Sequence, residues 1–442
     1  MRPKFYTPYL ASVLFSFSLT PLFAQHKVTY RLEDAALKGD LVTAKKLIEG
    51  GANIKGIEAD KAMQCAVKSN SYDVLKYLLE NGGDPNARDS YGRTLLMNSA
   101  NNGNVKLVNL ILSFGADPNA KDAQGKNALM SVDGEDFLSI LHILRDWGAN
   151  IDDKDNYGLN AAMKFVKSLT PLTLDFCLER GSNPNLKDRR GNTALMHLAW
   201  WTQYDLVYSG YEEILAAKVL SLKKYGADMN SKNSIGMTAL MYAAGWDHLP
   251  ILEALIESGA RIDIRDNLGR TALTWAARVG SDSKIVKRLL REGSQIGLAE
   301  AMLLKDYKKV KHKLANGDNI KVFGPYNDNL LMMAAEDVQL DLVQDLLKRG
   351  AEVNARDREG MTALMLAVAG RKRNSIPDGS TYFDVNERAI RMEIIQLLLT
   401  RHANPNLRNR VKDTALSLSE ESKFTLAIEA LLSHGIKPKP KH

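Results

Sequence analysis

The stretch Thr238-Ala-Leu-Met-Tyr-Ala-Ala244 decides the architecture, because close copies of it return along the chain. They read TLLMNSA from Thr94, NALMSVD from Asn127, TALMHLA from Thr193, TALTWAA from Thr271, NLLMMAA from Asn329, TALMLAV from Thr362 and TALSLSE from Thr414. Met97, Met130, Met163 and Met196 step by 33 residues, and Gly82, Gly115, Gly148 and Gly181 keep the same beat, followed by Gly226 and Gly259. A period of this length means one supersecondary unit stacked many times, each copy burying its apolar face against its neighbours.

The chemistry of one unit is readable. The first residue of the phrase is Thr or Asn in nine copies: Thr94, Asn127, Asn160, Thr193, Thr238, Thr271, Asn329, Thr362 and Thr414. Both side chains accept a hydrogen bond from the open N–H groups of a first helical turn, so this position caps a short first helix. A second helix follows with apolar spacing, as in Val105, Val108, Leu110, Ile111 and Leu112. Gly115 then ends it in the left-handed conformation and Asp117-Pro118-Asn119 opens a turn. Where that glycine is replaced, the substitute is His402, a residue type that tolerates positive φ.

Period, Thr-led helix and Gly-Ala-Asp turn together resemble the ankyrin-repeat family. The resemblance implies an all-α solenoid of about twelve helix-turn-helix units with β-finger loops, running from Leu32 to Ile436 with degenerate units at both ends. The family phrase T-P-L-H is altered here: Pro becomes Ala, which a first turn accepts, and His becomes Met, which exchanges a polar contact for flexible packing. That variant is similar to ankyrin proteins of bacteria. Exported relatives of this look are associated with protection from oxidative stress, which the resemblance extends to this chain as an expectation.

Three irregularities break the beat. Gly181 to Gly226 is 45 residues, which places an insertion at 200–211 holding Trp200, Trp201, Tyr204, Tyr208 and Tyr211. Gly350 to His402 is 52 residues, with an insertion at 370–388 carrying Arg371, Arg373 and Phe383. Gly293 to Gly317 is only 24 residues, and Leu298-Ala-Glu-Ala301 reads as helix directly after Gly293 with no finger between. Two sub-arrays are therefore expected, 25–296 with units 1–8 and 297–442 with units 9–12 and a basic tail.

Residues 1–24 read as a signal peptide. Arg2 and Lys4 precede a short apolar run from Leu10 to Phe23, with Ala24 before the cleavage point. The run is shorter than the ~20 apolar residues of a membrane span, so no span is expected after its removal, and a retained N-terminal anchor is the alternative. Export would place the protein in the periplasm, or outside the cell. The net charge of +7 is spread over many units, and two of those charges are Arg2 and Lys4, so no nucleic-acid stripe is expected. Cys65 and Cys177 fall three repeats apart, about 30 Å, beyond disulfide reach.

No catalytic or cofactor chemistry stands out. The eight His show no metal-ligand spacing, there is no C-x-x-C, and Asp153-Lys-Asp-Asn156 has Lys164 where a calcium loop needs an acid. No cofactor, metal or enzymatic activity is expected, and the basic run Lys308 to Lys313 reads as a solvated helix face. The methionine row (Met97, Met130, Met163, Met196, Met241, Met332, Met365) reads as core filler, with an oxidation-sensitive element as the sharper alternative.

The resemblance also implies a concave groove, lined by fingers and first helices, that binds another protein. The position after the methionine row should face it: Asn98, Ser131, Lys164, His197, Tyr242, Trp275, Met333 and Leu366. Aromatic residues dominate interface hot spots, so the expected contact centre is His197, Trp201, Tyr242, Trp246 and Trp275, with Arg371 and Arg373 next. The competing reading packs those rings between insertion and stack. The function expected is a non-catalytic scaffold of the bacterial cell envelope acting as a monomer on an unidentified protein. A secreted effector binding a host protein is the alternative.

Overall fold

The computed structural model describes residues 32–132, 138–168, 170–201, 211–280, 282–369 and 385–434. Residues 1–24, Arg371 and Arg373, and the basic tail at 437–441 lie outside them. Among the described residues the chain is helical, and its only β-structure is two isolated bridges, Arg88 with Thr94 and Phe323 with Asn329. Two compact units form among the described residues: those up to Lys164 with 180–182, and 165–179 with those from Asn183 onward. Residue 296, where the sub-arrays were expected to divide, lies inside the second of these.

Within each unit short helices stack in two layers. In the second, Ala194–Trp200, Ala239–Gly245, Ala272–Ala277, Leu298–Leu303, Leu330–Glu336, Ala363–Ala369 and Ala415–Glu421 pack each on the next. All nine Thr or Asn caps work as their chemistry predicts, accepting the N–H three residues on at 2.9–3.4 Å. Each such bond contributes about 1 kcal/mol, which matters for helices of only four to seven residues that could not form in isolation. In the second helix Val105–Ser113, Leu107, Val108, Leu110, Ile111 and Leu112 are buried, while Val105 is 38% exposed. His402 adopts φ +64°, as its place in the glycine series requires.

The fingers are built by one repeated device. A side-chain oxygen of Asp89, Asp122, Asp155, Asp188, Asn233, Asp266 or Asp357 accepts backbone N–H bonds from the residues two and four positions on, closing the loop that the following glycine turns. Neighbouring tips then join, Ala123 N to Tyr91 O at 3.2 Å in the first unit, and Ser234 N to Arg190 O at 3.0 Å and Asn267 N to Ile235 O at 3.1 Å in the second. The Asn of the Gly-Ala-Asp-x-Asn phrase spans successive turns. Asn119 donates to Gly148 O at 3.0 Å and accepts from Asn150 N at 2.7 Å, and Asn354 does the same with His402 O and Asn404 N.

The short unit after Gly293 has no finger, as its sequence predicts. In the unit before it, Asp263 stands at the position of the bridging Asn and pairs with Arg261 at 2.9 Å. Arg270 closes the gap. Its Nη1 reaches Gly324 O at 3.1 Å, Pro325 O at 3.2 Å and Asn327 Oδ1 at 2.9 Å in the next finger along the chain, while Nε holds Asp266 at 2.7 Å.

Residues 202–210 and 370–384 of the two insertions lie outside the described residues. The second helices that follow them are long: Tyr211–Lys224 has 14 residues and Val385–Thr400 has 16, against nine for a regular second helix such as Val105–Ser113. The inserted residues extend these helices at their N-termini, where residue types common in helices continue the turn pattern.

Candidate functional site

Three consecutive first helices of the second unit bring the aromatic residues together. His197, Tyr242 and Trp275 hold the position after the methionine row and are half-buried. Trp201 and Trp246 share a register position one turn further on. Trp201 is half-buried, Trp246 is 39% exposed and the adjacent Trp200 is 45% exposed. Trp275 lies against Gly245, where an added Cβ would sit 3.3 Å from ring carbon Cε3, so the small residue admits the indole. The Nε1 donors of Trp201 and Trp275 are buried and have no acceptor.

Polar groups lock this floor. His197 Nε2 donates to Asp188 Oδ2 at 3.0 Å, and Tyr242 Oη accepts from Asn233 Nδ2 at 3.0 Å. The Lys167 ammonium stands 4.3 Å from the Trp201 ring centre, and the Arg270 guanidinium 4.6 Å from that of Trp275. Arg278 donates to Gly245 O and to Tyr326 Oη, both at 2.9 Å. Burial pushes the Lys167 ammonium below the usual lysine range and raises the Tyr242 phenol above its own.

Burial also lowers both imidazoles of this region, His197 against the opposing pull of Asp188 and His248 against its bond to Ala199 O. Each stays neutral in the folded state at a pH where the unfolded chain binds a proton. Stability is therefore level above about pH 6.5 and falls as pH drops below it, flattening once the folded imidazoles titrate. Thermal melts at pH 7.5 and 5.5 should show a lower midpoint at the acid value, and a His197→Asn, His248→Asn variant should narrow the difference.

The structure corrects the inferred row in part. Asn98, Ser131, Lys164, His197, Tyr242 and Trp275 are half-buried, but Met333 and Leu366 are buried in the apolar core of the later helices and face no groove. Lys164 turns its ammonium to Met130 O and Val132 O, both at 2.7 Å. The methionine row is 1–4% exposed, so it packs the core and an oxidant reaches it only after local opening.

Sequence reasoning missed a recurrent use of cations. Lys218, fully buried, donates to Val166 O at 3.0 Å and to Ser168 O, and Arg391 donates to Glu336 O, Leu366 O and Ala367 O. Short helices expose carbonyls at their C-terminal ends, and a cation from a later helix satisfies them. The signal was a Lys in a position that reads as core, between Ala217 and Val219.

In the first unit a groove of about 740 Å³ is lined by residues including Asp60, Gln64, Arg88, Tyr91 and Asn98. Its central amides are already engaged, Asn98 with Gln64 at 2.8 Å and with Asp89 at 3.1 Å, and Gln64 with Ala87 O at 2.9 Å. The aromatic face of the second unit is the better candidate. Among the described residues no three His, Cys, Asp or Glu cluster as metal ligands, and no helix is long and apolar enough to cross a membrane.

Capped helix pairs joined by hydrogen-bonded fingers define a class of repeat protein that works by presenting a face to a partner. Sequence models of ankyrin repeats match residues 32–122, 207–300, 331–376 and 359–410, more than half of the chain, which belongs to the ankyrin-repeat family. Over 241 residues, 52% of the chain, it is 27% identical to the ankyrin repeat and KH domain-containing protein mask-1 of Caenorhabditis elegans, the match spanning 8% of that protein. Over 130 residues, 27% of the chain, it is 29% identical to the potassium channel AKT2/3 of Arabidopsis thaliana, spanning 16% of it. The matches thus cover less than a fifth of either relative.

Proposed function

We propose that this ankyrin-repeat protein is a non-catalytic scaffold that holds a protein partner on the finger-and-first-helix face of its second unit. The contact centre is His197, Trp201, Tyr242, Trp246 and Trp275. One observation carries this reading: two exposed tryptophans, Trp200 and Trp246, flank half-buried rings on consecutive helices, the pattern of a hot spot with a rigid floor. Ankyrin repeats are in general interaction modules, and the mask-1 relative carries them in its name.

The signal-like residues 1–24 support export, with the cell envelope of a bacterium as the site of action and protection from oxidative stress as its setting. A fractionation blot locates the protein directly. The binding reading is tested by in-cell crosslinking and pull-down with wild type and with a Trp200→Ala, Trp246→Ala variant, whose exposed positions leave folding intact. A stoichiometric partner should be captured by wild type and reduced about tenfold or more by the variant. A partner retained equally by both would move the site off this face.

A further inference from the structure

The second unit's aromatic face has an excess of cations and donors. Lys167, Arg190, Arg278 and Arg358 have no carboxylate partner among the described residues. Lys167 lies over Trp201 and is felt at His197, the guanidiniums of Arg190 and Arg358 are both felt at the Tyr242 hydroxyl, and Arg278 bonds only the neutral acceptors Gly245 O and Tyr326 Oη. Of the nearby carboxylates, Asp188, Asp266 and Glu300 are buried beneath the face, on His197 and its own finger, on Arg270, and on the hydroxyls of Thr271 and Thr274. Asp247, which accepts from Ser283 Oγ, is exposed. Glu359, at a fingertip, is the exposed acid beside Arg358. The polar atoms left unpaired here are donors too: Trp201 Nε1, Trp275 Nε1 and Arg278 Nε.

We propose that the partner segment bound on this face is an acidic, extended stretch of polypeptide whose carboxylates meet Arg190, Arg358, Arg278 and Lys167 while its apolar side chains lie on Trp200 and Trp246. This rests on the reading that the face binds a protein. An excess of cations over an aromatic floor selects an acceptor-rich ligand and speeds its encounter. A polypeptide fits better than a single-stranded nucleic acid, because base stacking needs open ring faces. One face of Trp201 and one face of Trp275 are each occupied by a cation.

The test is fluorescence anisotropy of the purified chain with a dye-labelled peptide of repeating Glu-Glu-Phe, its Gln-Gln-Phe counterpart and a thymidine oligonucleotide of equal length. The Glu peptide should bind about tenfold or more tighter than the Gln peptide at about 50 mM salt and weaken at about 300 mM. Arg190→Glu with Arg358→Glu, both at exposed positions, should remove that preference. Lys284→Glu with Lys308→Glu, equal in charge change and exposed on second helices, should keep it. Arg190→Gln with Arg358→Gln repeats the test without introducing acids. Equal binding of Glu and Gln peptides, an equal loss in both reversed variants, or an oligonucleotide that binds tighter than the Glu peptide would each overturn the proposal. Those results leave the scaffold reading standing, since the crosslinking of Trp200 and Trp246 variants decides it separately.

Discussion

Arg270→Ala is expected to destabilise the second unit by about 3–5 kcal/mol, read as a lower urea midpoint in tryptophan fluorescence. Four of the five tryptophans belong to that unit, so the signal reports on it. The Arg270 and Asp266 side chains are 6% and 0% exposed, so truncation strands a carboxylate away from water. It also removes the donor to Gly324 O, Pro325 O and Asn327 Oδ1 across the missing finger, and the cation over Trp275.

The protein supplies its own control for this result. In the 233–237 finger, Asn233 and Met237 occupy the positions of Asp266 and Arg270, and Asn233 closes its loop with the same pair of backbone bonds. An Asp266→Asn, Arg270→Met variant copies that pair. It removes the buried charge while keeping the loop, so it should recover about 1 kcal/mol or more of the single variant's loss. What remains is the worth of the bridge to the 324–328 finger. Equal losses in the two variants would show that the buried carboxylate is not the source of the cost.

The contrast between caps and Arg270 shows what a sequence displays. Thr94 or Asn329 acts on an N–H three residues away, so its role is written in local order, and the φ of His402 follows from its place in a glycine series. Arg270 acts on groups 54–57 residues away, brought near because the unit between has no finger. The missing finger was visible in the spacing, but the residue that compensates for it was not. Lys218 is the same kind of case, since its carbonyl partners lie 50 and 52 residues back. The site followed suit. The aromatic residues could be placed on one face from the repeat register, and Asp188 and Asn233 reach His197 and Tyr242 within their own units, but the Lys167 cation over Trp201 and the burial of Met333 depend on how neighbouring units pack.

The finger ladder gives the second large effect. Gly236 has φ +80°, and a Cβ there would lie 2.6 Å from the Asn267 backbone N and 3.0 Å from the Asp266 carbonyl carbon, so Gly236→Ala must push two fingers apart. The left-handed backbone alone costs an alanine about 1–2 kcal/mol, and the forced displacement adds about 1–3 kcal/mol. Gly259 separates the two contributions, because its φ is +92° but an added Cβ meets nothing within 4 Å. Gly259→Ala should therefore lose only the backbone part, about 1–2 kcal/mol by the same urea titration. The difference reaches the binding face. The Gly236 finger carries Asn233, which holds the Tyr242 hydroxyl, so displacing it disturbs the floor beneath Trp246. Gly236→Ala should weaken partner capture as well as stability, whereas Gly259→Ala should lower stability with capture unchanged. Equal capture by both variants would mean that the fingers fix the fold and leave the site to the first helices.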